Sequence, residues 1–586
     1  MPAFRHMDAM SFALAPGRGW RSILRRAGVV SSSLKSGEEP SRPAYPDQTE
    51  TQPPAGASEA EDAGGAQAAA TGSVREAAAR RPADWLTRVL TWGAVICISA
   101  AVAVVILVSV AGPSTAVVTM PKPAAGPPYW LWLHPSEALL TFGLWAAAGV
   151  GGIGVIAGLV AVSRGARPSI RAILTLAFLA ITVLTLLPAA GSTDILDYAA
   201  NGRMVVTGHS PYVETPLELK NTGDPIGRWI PHPWETNVSV YGPVASAEEW
   251  AAAELGGTSM ARVTFWLKLW NSIAFGAVVL LLDRLLRSDP ARRLRAHLLW
   301  TVNPLLLWEI VASGHIDGLS AAFGLLGIVA LRVGTKGERP ALTRFLLAGV
   351  FVGIAAAIKA PYAAFGLGVA WAGRRSITAL TAAAGGFLVI FGPAYAIAGR
   401  PAITALVHRG PGTTWDTMYQ AFYRPLGYSN FGAFSWPPHM TTVAGVACVA
   451  VAILAFLRFP DGTPDLPALS PALALSLAWL FIWSYERPWY DVMAICLLAL
   501  YPASRLDWVV ILRLVVTAPV YMPGMPVKPP AWIDNIVVWQ GDYVSAYGRL
   551  LAAVAFVALC LFGLWGWRQQ KTGLSAGGVP IPQPLV

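Results

Sequence analysis

Asp194 and Asp197 stand just past the end of a long apolar run, in "SIRAILTLAFLAITVLTLLPAAGSTDILDYAANGRMVVTGHSPY". Three later stretches carry ionisable groups in equally apolar surroundings. "NPLLLWEIVASGHIDGLS" holds Glu309, His315 and Asp317; "AIKAPY" holds Lys359; "WSYERPWYDVM" holds Glu486, Arg487 and Asp491. A positioned carboxylate can accept a proton, and lysine or arginine can hold an anion. Ionisable groups at membrane depth are costly and persist mainly where they line a cavity or pair with one another. Four such stretches converging on one face would make a site.

Each residue also has a plainer reading. A carboxylate just past a helix end is often a solvated loop residue, which stays open for Asp197. "GSTD" has the form of a helix N-cap, a structural role for Asp194. "SGHID" can be a short turn with His315 at a lipid boundary. Lys359 can snorkel, and Arg487 before "PWY" can belong to an aromatic belt. His315 and Asp317 are too few for a metal site, and no third ligand has informative spacing. Asn237-Val-Ser matches a glycosylation triplet that is common by chance.

The elements that must position these groups are membrane helices. Of 586 residues, 55% are hydrophobic and 13% charged, against roughly a quarter charged in a soluble domain. The 24 tryptophans suit a protein with two water–lipid boundaries. The net charge of +10 does not call for nucleic acid, because basic residues collect at helix ends on one side, as the positive-inside rule requires. Cys97, Cys448, Cys496 and Cys560 lie within apolar runs without CxxC spacing and read as small core residues.

Residues 1–84 read as a disordered cytoplasmic tail: a basic start, then Pro, Gly, Ala and acid without periodicity. From residue 85 to about 570 apolar runs recur, and 571–586 reads as a cytoplasmic tail. The pattern predicts an all-α polytopic membrane protein of about 12–14 transmembrane helices, each needing about 20 residues to cross. Arg75, Arg80, Arg81 and Arg88 place the N-terminus inside, and Arg164, Arg167 and Arg171 end the second span inside. The third span, near 171–189, then emerges outside carrying "GSTDILDY". The same reasoning puts 190–260 and 399–438 outside as large loops. The run 345–373 has arginine at both flanks and reads as a hairpin broken at Pro361, with Lys359 towards the outer face. All the ionisable groups named above then share one side.

In order and spacing, "STDILDYAANGRMVVTGHSPY", "VYGPVAS", "NPLLLWEIVASGHIDGLS", "AIKAPY" and "ERPWYDVMAI" resemble the polytopic GT-C glycosyltransferases. Within these they look most like actinobacterial polyprenol-phosphate-mannose-dependent alpha-1,6-mannosyltransferases, over roughly 135–505. The resemblance implies that an acidic residue in the first large outer loop is the catalytic base, matching Asp194. Ser192, Asp194 and Tyr198 follow the family pattern, whereas Leu196 stands in place of a tyrosine and Asp197 is added beside Tyr198. "SGHID" departs from the more usual His-Asn-acid, so Asp317 matches less closely than His315.

The resemblance further implies a polyprenyl-phosphate sugar donor, a glycan or glycolipid acceptor, and an inverting single displacement outside the cell membrane. Asp194 or Asp197 would take the acceptor proton. Lys359, Arg487 and Arg203 are candidates to face the leaving phosphate, and His315 and Asp317 to position substrate. Tyr198, Tyr212, Trp489 and Tyr490 offer sugar-stacking faces. No metal or cofactor is expected, because a lipid monophosphate leaves without a second phosphate charge. A transporter or lipid-linked sugar flippase is the alternative, although no internal repeat of the kind common in transporters is visible.

Overall fold

The computed structural model describes residues 84–231, 234–332, 342–408, 417–423, 438–459, 465–521 and 530–563. The expected N-terminal and C-terminal tails lie outside these residues, apart from Asp84, as does most of the expected loop 399–438. Among the described residues the regular structure is helical, with an isolated antiparallel bridge between Val117 and Ala190. The protein is all-α and polytopic.

The principal helices are α1 (Trp85–Ala111), α2 (Glu137–Ser163), α3 (Ile170–Leu186), α4 (Asp194–Val206), α5 (Pro243–Gly256) and α6 (Met260–Leu285). They continue with α7 (Pro290–Ala312), α8 (Asp317–Ala330), α9 (Leu342–Ile358), α10 (Ala364–Gly373) and α11 (Ile377–Ala398). The last are α12 (Pro438–Arg458), α13 (Leu469–Ile482), α14 (Pro488–Leu498), α15 (Leu506–Thr517) and α16 (Ala531–Phe562).

Among the described residues, five helices (α1, α2, α6, α11 and α16) are long and apolar enough to cross a bilayer, and α7 with α8 makes a sixth candidate bent by 114°. Five more apolar helical stretches, Ile170–Leu186, Leu342–Ile358, Thr442–Arg458 within α12, Leu469–Ile482 and Pro488–Leu498, are only 10–17 residues long. The expected count of about 12–14 spans therefore meets many short or broken helices. Breaks fall where a proline removes an amide donor or a polar pair interrupts the run. The run 345–373 does break as expected: α9 ends at Ile358, Lys359 is extended, and a 3-10 turn over Ala360–Ala363 carries Pro361 before α10.

Small residues decide how closely the helices approach. α9 packs along α11 through Gly349 and Gly386; a methyl group added there would sit 2.0 Å from the Ala383 carbonyl oxygen and 2.1 Å from that of Leu346, respectively. Such contact lets backbones meet where lipid offers no hydrophobic drive to association. The amide of Gly242, just before α5, donates to the Ile358 carbonyl at 2.9 Å. The end of α9, and with it Lys359, is thereby tied to the start of α5.

Candidate active site

Three chain segments meet at the start of α4. The amide of Val118 donates to Ala189 O at 3.1 Å, Gly191 N to Ala116 O at 2.8 Å, and Ala190 N to Ala312 O at 3.2 Å. Ser313 Oγ donates to Ala190 O at 2.6 Å. The loop leaving α3 is thus held between the 114–118 segment and the bend that joins α7 to α8. Gly191 has φ +103°, and a Cβ there would fall 2.4 Å from Trp308 Nε1, so the turn needs glycine.

That loop ends in the Thr193 N-cap, and Asp194 is the first helical residue of α4. This corrects the reading of Asp194 as the cap. Its own amide donates to Ser192 Oγ at 3.2 Å. Asp194 Oδ2 lies 3.9 Å from Nδ1 of His315 at the α7–α8 bend. The phenol of Tyr198, one turn along α4, is 3.3 Å from the same nitrogen. The His315 ring stacks on Trp489 with centroids 3.7 Å apart. Tyr241 adds its hydroxyl, donating to Tyr198 Oη at 3.3 Å.

Lys359 approaches from the break after α9. Its ammonium donates to Asp317 Oδ2 at 2.7 Å and sits 4.1 Å from the centroid of Tyr490 and 5.7 Å from that of Tyr241. Tyr362 donates to Asp317 Oδ1 at 3.2 Å, so both carboxylate oxygens of Asp317 are engaged. Arg487 packs over Tyr485, 5.1 Å from its centroid, and its charge acts on Asp194 together with that of Lys359. Asp194, His315, Asp317, Lys359, Arg487, Tyr198 and Trp489 are all buried. A crevice lined by Asp317, Lys359, Pro361, Tyr362 and Tyr490 lies beside them. A larger, apolar cavity of about 290 Å³ lies elsewhere, between α1, α2 and α3, and contains none of these side chains.

Burial raises the Asp194 carboxyl to about 6, against the pull of the Arg487 and Lys359 charges. Burial, reinforced by the Asp194 charge, raises Asp197 to about 8. Asp197 belongs to a second acidic group with Glu249 of α5, itself raised by burial and by the charges of Asp197 and Glu248. Two carboxylates one turn apart on α4 therefore have different surroundings: one meets cations, the other meets acids.

Two of the expected site residues stand apart. Arg203, at the far end of α4, donates through Nε to Asp224 Oδ2 at 2.8 Å. Tyr212 bonds Ser246 Oγ at 2.8 Å and packs in a small cluster with Tyr395 and Ala402. Glu486 and Asp491, flagged by their depth, pair with Arg513: its Nη2 donates to Glu486 Oε2 at 2.9 Å, and Nη1 bonds Asp491 Oδ1. Arg549 Nε lies 3.8 Å from Glu486 Oε2. Sequence reasoning passed over Arg513, Arg549, Tyr241, Tyr362 and Lys268. The arginines lie inside apolar runs, where their depth was the available clue; the tyrosines carry no charge to stand out.

A family model described as the alpha-(1->6)-mannopyranosyltransferase N-terminal domain matches residues 77–374, just over half of the chain. The chain belongs to this family. The match covers Asp194, His315, Asp317 and Lys359, whereas Arg487, Trp489 and Tyr490 fall beyond it. The mannopyranosyltransferase-family chain is also 28% identical over 181 residues to alpha-(1->6)-mannopyranosyltransferase B of Corynebacterium glutamicum, covering 28% of each chain. It is 26% identical over 161 residues to a probable alpha-(1->6)-mannopyranosyltransferase of Mycolicibacterium smegmatis, covering 28% of this chain and 29% of that one. The chain thus spans under a third of the length of these curated relatives. No solved structure matches it.

Proposed function

We propose that this chain transfers a mannosyl residue from a polyprenyl-phosphate donor to a glycan or glycolipid acceptor on the extracytoplasmic side of the membrane, by inverting single displacement. The observation that carries the reading is one buried constellation: the Asp194 carboxylate beside His315, within the fields of Lys359 and Arg487. The acceptor hydroxyl forms its bond to the anomeric carbon as the bond from that carbon to the phosphate oxygen breaks. Asp194 takes the hydroxyl proton as attack proceeds. Negative charge grows on the departing phosphate, and fixed cations in a poorly solvated site favour it. Lys359 and Arg487 supply them. Nucleotide sugars are cytoplasmic, so an outer site needs a membrane-borne donor.

The two carboxyls support a division of labour. With its carboxyl at about 6, Asp194 is mostly ionised at neutral pH, whereas Asp197 at about 8 keeps its proton. Asp194 is the better base there. His315 and Tyr198, both beside Asp194, orient the acceptor, and Trp489 stacks on the imidazole and holds its plane.

The test is reconstituted full-length protein supplied with radiolabelled polyprenyl-phosphate mannose and a mannan-type acceptor. The expected result is an acid-stable glycosidic product, lost on Asp194→Asn by about 10²- to 10⁴-fold in protein that still inserts and purifies normally. Label that crosses the vesicle membrane without forming a product would establish the transporter alternative instead.

A further inference from the structure

Lys268 lies within α6, 1% exposed, at a depth where an ammonium is costly. Its Nζ donates to the carbonyl oxygens of Leu184 at 2.6 Å, Leu187 at 2.7 Å and Pro188 at 3.3 Å. These carbonyls belong to the last turn of α3 and the residues just after it, where the ladder of amide donors runs out; Leu184 O also accepts from the Leu187 amide at 3.3 Å. A cation at that end also meets the negative pole of the helix. One turn further along α6, Ser272 Oγ bonds Thr185 Oγ1 at 2.7 Å, so α6 grips the end of α3 at two points.

The stem of the same lysine touches the other half of the site. Gly314, immediately before His315, has φ +78°, and a Cβ there would fall 2.9 Å from Lys268 Cγ and 2.6 Å from Ile195 Cδ1. Lys268 therefore sits between the loop that delivers Asp194 and the bend that delivers His315. Its head fixes the first, and its methylenes limit how far the second can move inward.

We infer that Lys268 is a positioning residue that sets the separation of Asp194 and His315, acting through the α3 C-terminus and Gly314 without touching substrate. This rests on the proposed transfer reaction for its kinetic consequence but not for its structural one. A displacement of about 1 Å in a catalytic group can cost about a hundredfold in rate. Removing the ammonium while keeping the stem, as in Lys268→Met, leaves three carbonyl oxygens to find new partners.

The experiment compares full-length wild type, Lys268→Met, Lys268→Arg and Gly314→Ala in lipid nanodiscs, by hydrogen exchange with mass spectrometry and by steady-state transfer. In Lys268→Met, exchange should rise in peptides covering 187–196 and the α7–α8 bend and stay at wild-type levels elsewhere. The value of kcat should fall by about a hundredfold, with the KM for donor and acceptor within about threefold of wild type. Lys268→Arg should recover much of both, and Gly314→Ala, which pushes from the other side, should lower kcat with the lysine intact. Unchanged exchange over 187–196, a rise spread over the whole protein, or loss of KM and kcat together would overturn the inference. If Lys268→Met does not accumulate, wild-type kcat in Gly314→Ala overturns it as well. A wild type that makes no glycosidic product refutes the proposed function, while the exchange pattern still decides the role of Lys268.

Discussion

Oδ2 of Asp194 and Nδ1 of His315 stand 3.9 Å apart, one at the head of a helix outside the apolar spans and the other at a 114° bend within a broken one. Neither residue reaches the other through local structure. The contact exists because the loop after α3 is bonded to the α7–α8 bend through Ala190, Ala312 and Ser313. Chemistry at Asp194 is therefore coupled to the geometry of that bend.

The transfer rate should depend on pH through Asp194. A base must be ionised, and burial holds this carboxyl at about 6 instead of its ordinary 3.8. Activity should rise with pH through about 6 and level off above it. Stability runs the other way: a raised folded-state value costs stability above the ordinary value, fully so once pH exceeds about 6. Asp194→Asn should then melt higher than wild type at pH 8 and lose that advantage below pH 4. A pH–rate profile and thermal unfolding at both pH values check the two signs.

Lys359 and Asp317 should behave as a unit. Their 2.7 Å pair is buried, with 8% and 0% exposure, respectively. Breaking such a pair from one side typically costs about 3–5 kcal/mol, because the remaining charge is left without compensation. Lys359→Met and Asp317→Asn should each destabilise the protein, and the double variant should cost less than their sum. Lys359→Met should also raise the KM for the lipid donor more than that for the acceptor. A double-mutant cycle on unfolding, with KM measured for both substrates, reads these effects.

Gly191→Ala should impair transfer although the added group is one methyl. The left-handed φ of +103° disfavours any side chain, and Trp308 Nε1 would lie 2.4 Å from the new carbon. Backbone strain of this kind costs about 1–3 kcal/mol. The expected result is lower thermal stability and a fall in kcat, since the displaced loop carries Asp194. Gly208→Ala, also at positive φ but with open space around it, controls for strain alone and should leave kcat near wild type.

The ion network behind Arg487 should matter through its geometry. Arg513 holds Glu486 and Asp491, which flank the segment carrying Arg487, Trp489 and Tyr490. Arg513→Met should lower expression and weaken donor binding by releasing that segment. Replacing all three with Met, Gln and Asn, in a background carrying Arg549→Met because Arg549 also faces Glu486, should recover much of the stability, since the opposing buried charges are then removed together. Fluorescence-detected size exclusion and donor KM for the single and triple variants measure this.

The membrane class was legible in the amino-acid order alone. Apolar runs must fold as helices in lipid, where unpaired backbone groups are too costly, and the break at Lys359 followed from Pro361. Asp194, His315, Asp317, Lys359 and Arg487 stood out because charge at such depth needs a reason. The alternation of basic flanks led to the expectation that they share one face of the membrane; the contacts themselves bring α4, the α7–α8 bend, the α9 break and the 486–491 segment together.

Other matters were decided only in three dimensions. Arg203 and Lys359 are both cations in motifs expected to lie outside, yet one pairs with Asp224 and the other joins Asp317 and two tyrosines. Asp194 and Asp197 are one turn apart, yet one faces cations and the other faces Glu249. Sequence specifies which groups are too costly to leave solvated by lipid. Which partner each one finds depends on helix approach at residues such as Gly349 and Gly191, and those distances arise only from packing.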